Sequence, residues 1–218
     1  MKKKLFIISN ESIYYKNNKF FCDNIDLKST PEGLSKKFEI NLYGRKSLKK
    51  RTHQIKIKNI KIFKNIFSYI YSVIISHKKN EAKYLVISIT PYTFLVSVCL
   101  RLIGVKPMVY LRSDGFGEYK AILGKIGPFI YHIMFSITGM ISNLASCREY
   151  ILGNKKGKIL SPSQLDSSWF KKIKPTEIKK FKLLYVGRIR VEKGIFSLVN
   201  LIKNKRDLTL TIVGAEND

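Results

Sequence analysis

The chain has few cysteines, and they lie far apart. Cys22, Cys99 and Cys147 form no CxxC pair and no cluster with histidines. A disulfide framework or a zinc site needs more cysteine and histidine ligands at closer spacing. The sequence therefore excludes a disulfide-stapled scaffold and a zinc module, and it indicates reduced thiols in a cytoplasmic protein.

Acidic residues are also scarce. The 218 residues include 41 Lys and Arg but 15 Asp and Glu, which gives a formal net charge of +26. A field of this sign attracts polyanions such as nucleic acid, anionic lipid headgroups or phosphorylated small molecules. An AT-rich genome also produces a composition rich in lysine, isoleucine and asparagine, so the charge alone does not choose among these partners.

The stretch MKKKLFIISN has an apolar run of about five residues, which is too short for a signal-peptide core and is expected to form a first buried strand. Residues 126–147 are uncharged and reach the roughly 20 residues that cross a bilayer. Pro128, His132 and Asn143 dilute the hydropathy of this segment. We interpret it as a buried or membrane-surface helix, with a membrane span as the alternative.

The hydrophobic pattern predicts strands that alternate with helices. Strands are predicted at 4–9, 37–44, 84–89, 106–111, 141–145 and 158–163, and helices at 27–37, 60–77 and 92–103. In the helix at 60–77, the predicted apolar face is formed by Phe63, Ile66, Phe67, Ile70 and Ile74. Continuous Val/Ile/Leu strands between helices are typical of a parallel sheet covered on both faces. Residues 1–163 are thus predicted to form an α/β, Rossmann-like domain.

Two shorter signals complete the first half. The aromatic-rich stretch around Lys16-Asn17-Asn18-Lys19 predicts a β-hairpin between strand-forming runs. Gly104, just after the helix predicted at 92–103, is a typical residue to end a helix.

The carboxyl-terminal part begins a second unit. Residues 164–180 are polar and lysine-rich, as in a linker. A buried strand at 183–187, a helix at 195–204 and a strand parallel to the first at 208–214 are then predicted. One strand–helix–strand unit does not make a domain, so residues 181–218 are expected to be the incomplete start of a second Rossmann-like domain.

The stretch LLYVGRIRVEKG (183–194) has the pattern of an anion-binding turn. Gly187 allows a turn at the carboxyl end of a strand, and Arg188 follows it directly. Lys193 and Gly194 stand at the start of the next helix, where the helix dipole attracts phosphate. A surface turn with solvated charges is the alternative interpretation.

LLYVGRIRVEKGIFSLVNLI, followed by LTLTIVG, resembles the beginning of the carboxyl-terminal domain of retaining GT-B glycosyltransferases of family 4. The resemblance implies that Arg188 and Lys193 bind the diphosphate of a nucleotide sugar, while Gly187 and Gly194 shape the turn. Gly214 matches the glycine after the next strand. In KILSPSQLDSSWF (158–170), Pro162, Asp166 and Phe170 fit the family's interdomain segment, whereas its Asn-Gly pair is missing.

The family resemblance also implies an activity. We expect transfer of a sugar from a nucleotide-diphosphate sugar to a glycan or lipid-linked acceptor, in bacterial synthesis of a surface polysaccharide such as lipopolysaccharide or capsule. No DxD motif occurs, and no metal or cofactor is expected. The expected location is the cytoplasm, at the inner face of an anionic membrane. The family's Glu-x7-Glu segment does not occur in residues 1–218, so little turnover is expected from this chain by itself.

YLRSDGFGEY (110–119) follows a predicted strand and is expected to line the cleft of the first domain. Candidate contacts to acceptor or donor are Arg112, Ser113, Gly115 and Glu118. Asp114 is the candidate catalytic residue, in a loop where many relatives carry a histidine. The alternative is a turn that the Asp114 side chain stabilises, as is common for Asp-Gly.

Two other functions remain as alternatives. A basic nucleic-acid-binding protein would fit the net charge, but the lysines are dispersed and no recognised binding motif occurs, so nucleic acid is not an expected partner. An integral membrane protein that uses 126–147 is the other.

Overall fold

The computed structural model describes residues 2–79, 82–161, 181–187, 189, 191–205 and 207–214. The chain divides into two compact units, Met1–Gln164 and Leu165–Asp218. The predicted linker at 164–180 lies outside the described residues, as do Pro162, Asp166 and Phe170.

The first unit alternates strands and helices along the chain. Its strands are β1 (Lys3–Lys16), β2 (Lys19–Cys22), β3 (Phe38–Ser47), β4 (His53–Ile55), β5 (Asn59–Phe63), β6 (Ala82–Ile87), β7 (Met108–Leu111), β8 (Asn143–Ser146) and β9 (Gly157–Ile159). Its helices are α1 (Ile25–Leu34), α2 (Ile66–Lys79), α3 (Pro91–Leu102), α4 (Gly115–Leu123), α5 (Gly127–Ile141) and α6 (Glu149–Leu152).

One nine-stranded sheet organises this unit. Its parallel strands lie in the order β5, β3, β1, β6, β7, β8, β9. The distal half of β1 pairs antiparallel with β2, which pairs antiparallel with β4. The predicted α/β class with a Rossmann-like parallel sheet is confirmed.

Two apolar cores cover the two faces of the sheet, as predicted. On one face, α2, α3 and α5 contribute buried side chains that include Tyr69, Val96 and Tyr131. On the other face, α1 contributes Leu27 against Ile7 and other strand residues. The central strands are buried on both sides, which is why their sequences show no polar alternation.

The predicted hairpin is confirmed, with Lys16 paired to Lys19 across a two-residue turn. Asn17 and Asn18 adopt φ angles of 50° and 57°. Such a turn needs positive φ at both central positions, and asparagine is the residue besides glycine that tolerates them best. Helix α3 also forms as expected, and Gly104 follows it at φ 84°.

The helix predicted at 60–77 is wrong over its first part. Residues Asn59–Phe63 form β5, which pairs with β3, and the helix begins at Ile66. The side chain of Asn65 accepts a hydrogen bond from the N–H of Ser68 at 2.9 Å and so caps the helix. The buried face of α2 carries Tyr69, Val73 and Ser76, while Phe67, from the predicted face, is exposed.

The apolar segment 126–147 contains helix α5, followed by strand β8 from Asn143, which confirms the strand predicted at 141–145. Helix α4, which precedes it, was not predicted. It starts at Gly115 because the Asp114 side chain accepts a hydrogen bond from the N–H of Phe116 at 3.0 Å. The Asp-Gly turn of the sequence is thus a helix amino terminus.

The second unit contains β10 (Phe181–Val186), helix α7 (Ile195–Ile202) and β11 (Leu208–Val213). The two strands pair in parallel, in agreement with the sequence. The strand at 183–187 was predicted to be buried, yet Leu184 and Val186 are exposed. A two-stranded sheet with one described helix leaves apolar side chains of both strands uncovered.

Candidate functional site

A polar cavity of about 360 Å³ lies at the carboxyl ends of β6 and β7, beside the middle of β1. The chain adds β3 and β5 on one side of β1 and β6 to β9 on the other, so the strand order reverses between β1 and β6. Open α/β sheets bind ligands at such a reversal. We call this cavity the cleft. It is lined by Ser9, Asn10, Glu11, Asn24, Ile87, Ser88, Thr90, Arg112, Ser113 and Glu118.

An irregularity in β1 brings Asn10 and Glu11 to the cleft. Pairing with β3 stops after Ile8 and resumes at Ser12 with a shifted register. The buried hydroxyl of Tyr69 holds this bulge, because it accepts from the N–H of Ser9 at 3.1 Å and lies 3.0 Å from the Ser9 carbonyl oxygen. Burial raises the pKa of Tyr69, so its hydroxyl stays protonated and serves as a donor.

Ser88 contributes a strained backbone to the cleft. Its φ of 60° lies in the left-handed region, which costs a residue other than glycine roughly 1–2 kcal/mol. Two hydrogen bonds hold it there: its N–H donates to the Tyr110 carbonyl at 2.8 Å, and the Thr93 hydroxyl donates to its carbonyl at 2.8 Å. Thr93 also completes the capping box of α3 with Thr90. Backbone strain of this kind is concentrated at functional sites.

Arg112 ties three elements together at the floor of the cleft. Its guanidinium forms ion pairs with Glu11 at 3.2 Å and Asp26 at 3.5 Å, and donates to the Asn24 side chain at 3.3 Å. Its side chain is 19% exposed. Asn24 caps α1, so Arg112 joins the end of β7 to the bulge of β1 and to the start of α1.

The structure brings some of the predicted cleft residues together and separates others. Arg112, Ser113 and Glu118 line the cleft. Asp114 is not among the lining residues, and its carboxylate caps α4. Gly115 is buried, and a Cβ there would overlap the Tyr131 ring, so its identity follows from helix packing.

The cleft offers groups suited to hydroxyl-rich ligands. The carboxylates of Glu11 and Glu118 accept hydrogen bonds, the hydroxyl of Ser113 donates or accepts, and the amide of Asn10 does both. Such a mixture can bind sugar hydroxyls, each of which is both a donor and an acceptor.

A second cavity, of about 240 Å³, lies at the β1–β2 hairpin. Cations and aromatic rings line this hairpin pocket: Tyr14, Lys16, Asn17, Lys19, Phe21, Lys50 and Arg51. Arg51 is held by an ion pair with Asp23. Burial alone would raise the pKa of Asp23, but hydrogen bonds from Arg51 and Thr52 outweigh it and keep that pKa below its ordinary value. The pocket therefore favours an anionic ligand.

The predicted anion-binding turn belongs to the second unit. Arg188 lies outside the described residues. Gly187 directly follows β10, and its N–H donates to the Val213 carbonyl at 3.0 Å. Lys193 is exposed and directly precedes Gly194, which begins α7 with a φ of 71°. A Cβ on Gly214 would overlap the Gly187 carbonyl oxygen, so the ends of both strands approach closely.

The cleft residues in the middle of β1 and after β6 were not predicted. In the first unit, ligand contacts were predicted only after the strand that ends at Leu111. Glu11 comes two residues after the buried run KLFIIS, and Ser88 and Thr90 come directly after the strand-forming run YLVI. Polar residues after adjacent parallel strands were the available signal.

The described residues contain no group of three or more His, Cys, Asp or Glu side chains placed to hold a metal ion. The expectation of transfer without a metal or cofactor stays a prediction.

Comparison with known proteins gives little further information. No family model matches the chain, and no curated protein matches it. Among solved structures, it is similar to a protein described as a UDP-N-acetylglucosamine 2-epimerase from Listeria monocytogenes, with 13% identity and a TM-score of 0.44. That match covers 100% of this chain and 64% of the other, so the chain spans less than two thirds of that protein's length. A similarity this low carries no argument about function.

Proposed function

We propose that the chain is part of a glycosyltransferase that moves a sugar from a nucleotide-diphosphate sugar to a glycan or lipid-linked acceptor, with retention at the anomeric carbon. The observation that carries the proposal is the turn after β10. Lys193 and Gly194 stand directly before the first N–H groups of α7, and β11 lies parallel to β10 and ends beside Gly187.

The chemistry follows from this geometry and from the resemblance of the motif. Helix amino termini present N–H groups without partners in the helix, and these bind phosphate oxygens. Lys193 and Arg188 would stabilise the negative charge that develops on the departing diphosphate. Gly187 and Gly194 would let the backbone approach it. Within the proposal, neither a metal nor a cofactor takes part in the transfer.

The first unit would hold the acceptor side. The cleft carries Glu11, Ser113 and Glu118, which suit sugar hydroxyls, and the hairpin pocket lies a few residues further along β1. At about 3.3 Å per residue, Tyr14 is about 10 Å from Glu11 along the strand. We assign the cleft to the acceptor sugar. Asp114 stays the candidate catalytic residue, although its carboxylate caps α4 and does not line the cleft.

The proposed enzyme acts in the cytoplasm on an acceptor of a bacterial surface polysaccharide, such as lipopolysaccharide or capsule. Nucleic acid is not a proposed partner, since the basic residues follow no recognised nucleic-acid motif.

The test is a calorimetric titration of the purified chain with UDP, GDP and dTDP. One of these is expected to bind, and Lys193→Ala is expected to raise its Kd about tenfold or more, which is about 1.4 kcal/mol. Lys205→Ala is the matched control, because Lys205 is an exposed lysine beyond α7 in the same unit. Equal losses of affinity in the two variants would show that the nucleotide binds through nonspecific charge attraction, which would contradict the proposal.

A further inference from the structure

Helices α4 and α5 form a helical hairpin at one end of the first unit. The ring of Phe116 lies 4.8 Å from that of Tyr131 and 5.9 Å from that of Phe135, measured between centroids. Residues so far apart in sequence meet only if the chain reverses between them. The reversal uses Gly124, at φ 62°, and Gly127, whose missing Cβ lets α5 touch the Tyr119 carbonyl.

The tip of this hairpin is apolar and uncovered. Residues 120–126 are all exposed. Ile122 is 75% exposed, and Ile126 and Phe129 are each 66% exposed. The segment Gly115–Ile141 is apolar and long enough to pass as a membrane span by length and composition, yet only 28% of its apolar window is buried. The core helix of a soluble domain is mostly buried, whereas exposed apolar patches are typical of protein or membrane interaction sites.

As folded, the hairpin does not cross a bilayer. Helix α4 has 9 residues and α5 has 15. At 1.5 Å per residue they measure about 14 and 22 Å, against about 30 Å for the hydrocarbon core. The exposed apolar side chains at the tip of so short a hairpin are suited to the headgroup region and the first acyl carbons of a bilayer.

The charges around the tip select the lipid. Lys120 and Lys125 are exposed beside the apolar side chains. No Asp or Glu occurs between Glu118, which lines the cleft, and Glu149. A patch of lysines without carboxylates is attracted to anionic lipid, at about 1 kcal/mol per basic residue near the surface.

We propose that the tip of the α4–α5 hairpin, residues 120–133, inserts into the headgroup layer of an anionic lipid bilayer. Ile126 and Phe129 enter the apolar boundary, while Lys120 and Lys125 contact lipid phosphates. This inference does not depend on the proposed glycosyl transfer, since it rests on the exposure and charge of the hairpin alone.

The α4–α5 hairpin also lies near the cleft. Glu118 of α4 lines the cleft, and Phe116, two residues earlier, packs against Tyr131 and Phe135 of α5. Insertion of the tip would therefore hold the cleft next to the lipid headgroups. An acceptor carried on a lipid would reach the cleft without leaving the membrane.

The test is sedimentation of the protein with phosphatidylcholine vesicles that contain or lack phosphatidylglycerol. Binding is expected only where phosphatidylglycerol is present. Ile126→Ser combined with Phe129→Ser is expected to weaken it at least tenfold. The matched control is Phe67→Ser with Tyr71→Ser, two exposed aromatic residues of α2. Lys120→Glu with Lys125→Glu is expected to remove the preference for phosphatidylglycerol, whereas Lys36→Glu with Lys37→Glu keeps it.

Insertion is separated from simple charge attraction by fluorescence. In a Trp169→Phe background, Phe129→Trp is expected to shift its emission to the blue on addition of anionic vesicles. Circular dichroism melting checks that every variant is folded. Absence of vesicle binding would overturn the proposal, as would binding that the tip variants leave unchanged. A dimer in ultracentrifugation that only the Ile126 and Phe129 variant dissociates, without vesicle binding, would assign the tip to a second copy of the chain.

Discussion

At the scale of single residues, Arg112 connects three parts of the cleft. Its guanidinium forms ion pairs with Glu11 and Asp26 and donates to Asn24, so it joins the bulge of β1 to the start of α1. An arginine is suited to this because its planar group donates several hydrogen bonds in fixed directions. The residue was predicted to contact ligand, and the structure adds a positioning role.

Replacement of Arg112 by alanine is expected to destabilise the protein. The change removes the ion pairs of Arg112 with Glu11 and Asp26, whose side chains are 37% and 42% exposed, so the loss is expected to be about 1 kcal/mol of unfolding free energy. Urea unfolding with an unchanged m-value measures it. The control is Arg101→Ala, an exposed arginine of α3, expected to stay within about 0.5 kcal/mol of the parent. Equal losses at the two positions would contradict the positioning role.

Some residues of the cleft were visible in the sequence and others were not. The position of YLRSDGFGEY directly after a predicted strand predicted Arg112 and Glu118. Glu11 and Ser88 were missed because their positions depend on a bulge and on a left-handed backbone, which arise from pairing with β3 and from hydrogen bonds to Tyr110 and Thr93. The sequence shows polar residues after adjacent strands, but it does not show the tertiary contacts that bring them into one cleft.

At the scale of elements, the α4–α5 hairpin depends on glycine at its close contact. A Cβ on Gly127 would overlap the backbone carbonyl of Tyr119, which no side-chain rotation can relieve. Gly33, within α1, has no atom within 4 Å of its Cβ position. A Cβ is therefore expected to destabilise the protein at Gly127 and to be tolerated at Gly33.

Gly127→Ala and Gly33→Ala are expected to change stability in opposite directions. Gly127→Ala is expected to lower the unfolding free energy by about 1–3 kcal/mol through overpacking. Gly33→Ala is expected to raise it by about 0.5–1 kcal/mol, because alanine favours the helix more than glycine does. Thermal and urea unfolding of both variants measure the pair. A stabilising Gly127→Ala would contradict the described packing of α4 against α5.

Most elements were predictable because central strands and capped helices carry strong local patterns. The hairpin at Asn17-Asn18 and helix α3 with Thr90 and Gly104 are examples. The helix predicted at 60–77 was partly wrong because Ile60 and Ile62 fit a strand and a helix equally well, and pairing with β3 decided the outcome. The cap at Asn65 was the local signal for the true start of α2.

At the scale of the whole molecule, the basic residues behind the net charge of +26 lie on surfaces where different groups surround them. In the hairpin pocket, cationic side chains lie beside aromatic rings. At the α4–α5 tip, lysines lie beside aliphatic side chains, and in the second unit Lys193 lies at the amino terminus of α7. In the two proposals, the α4–α5 tip binds lipid headgroups and the turn at Lys193 binds a diphosphate. The charge alone could not have separated them.

The measurement that tests the central claim most directly is amide chemical-shift mapping of the isotope-labelled chain with UDP, GDP and dTDP. The account predicts saturable shifts at Gly187, Lys193, Gly194 and Ile195 with one of these ligands. Shifts confined to the hairpin pocket would contradict it and show attraction by charge alone. Absence of shifts at about 1 mM ligand, which corresponds to binding weaker than about 4 kcal/mol, would contradict it as well.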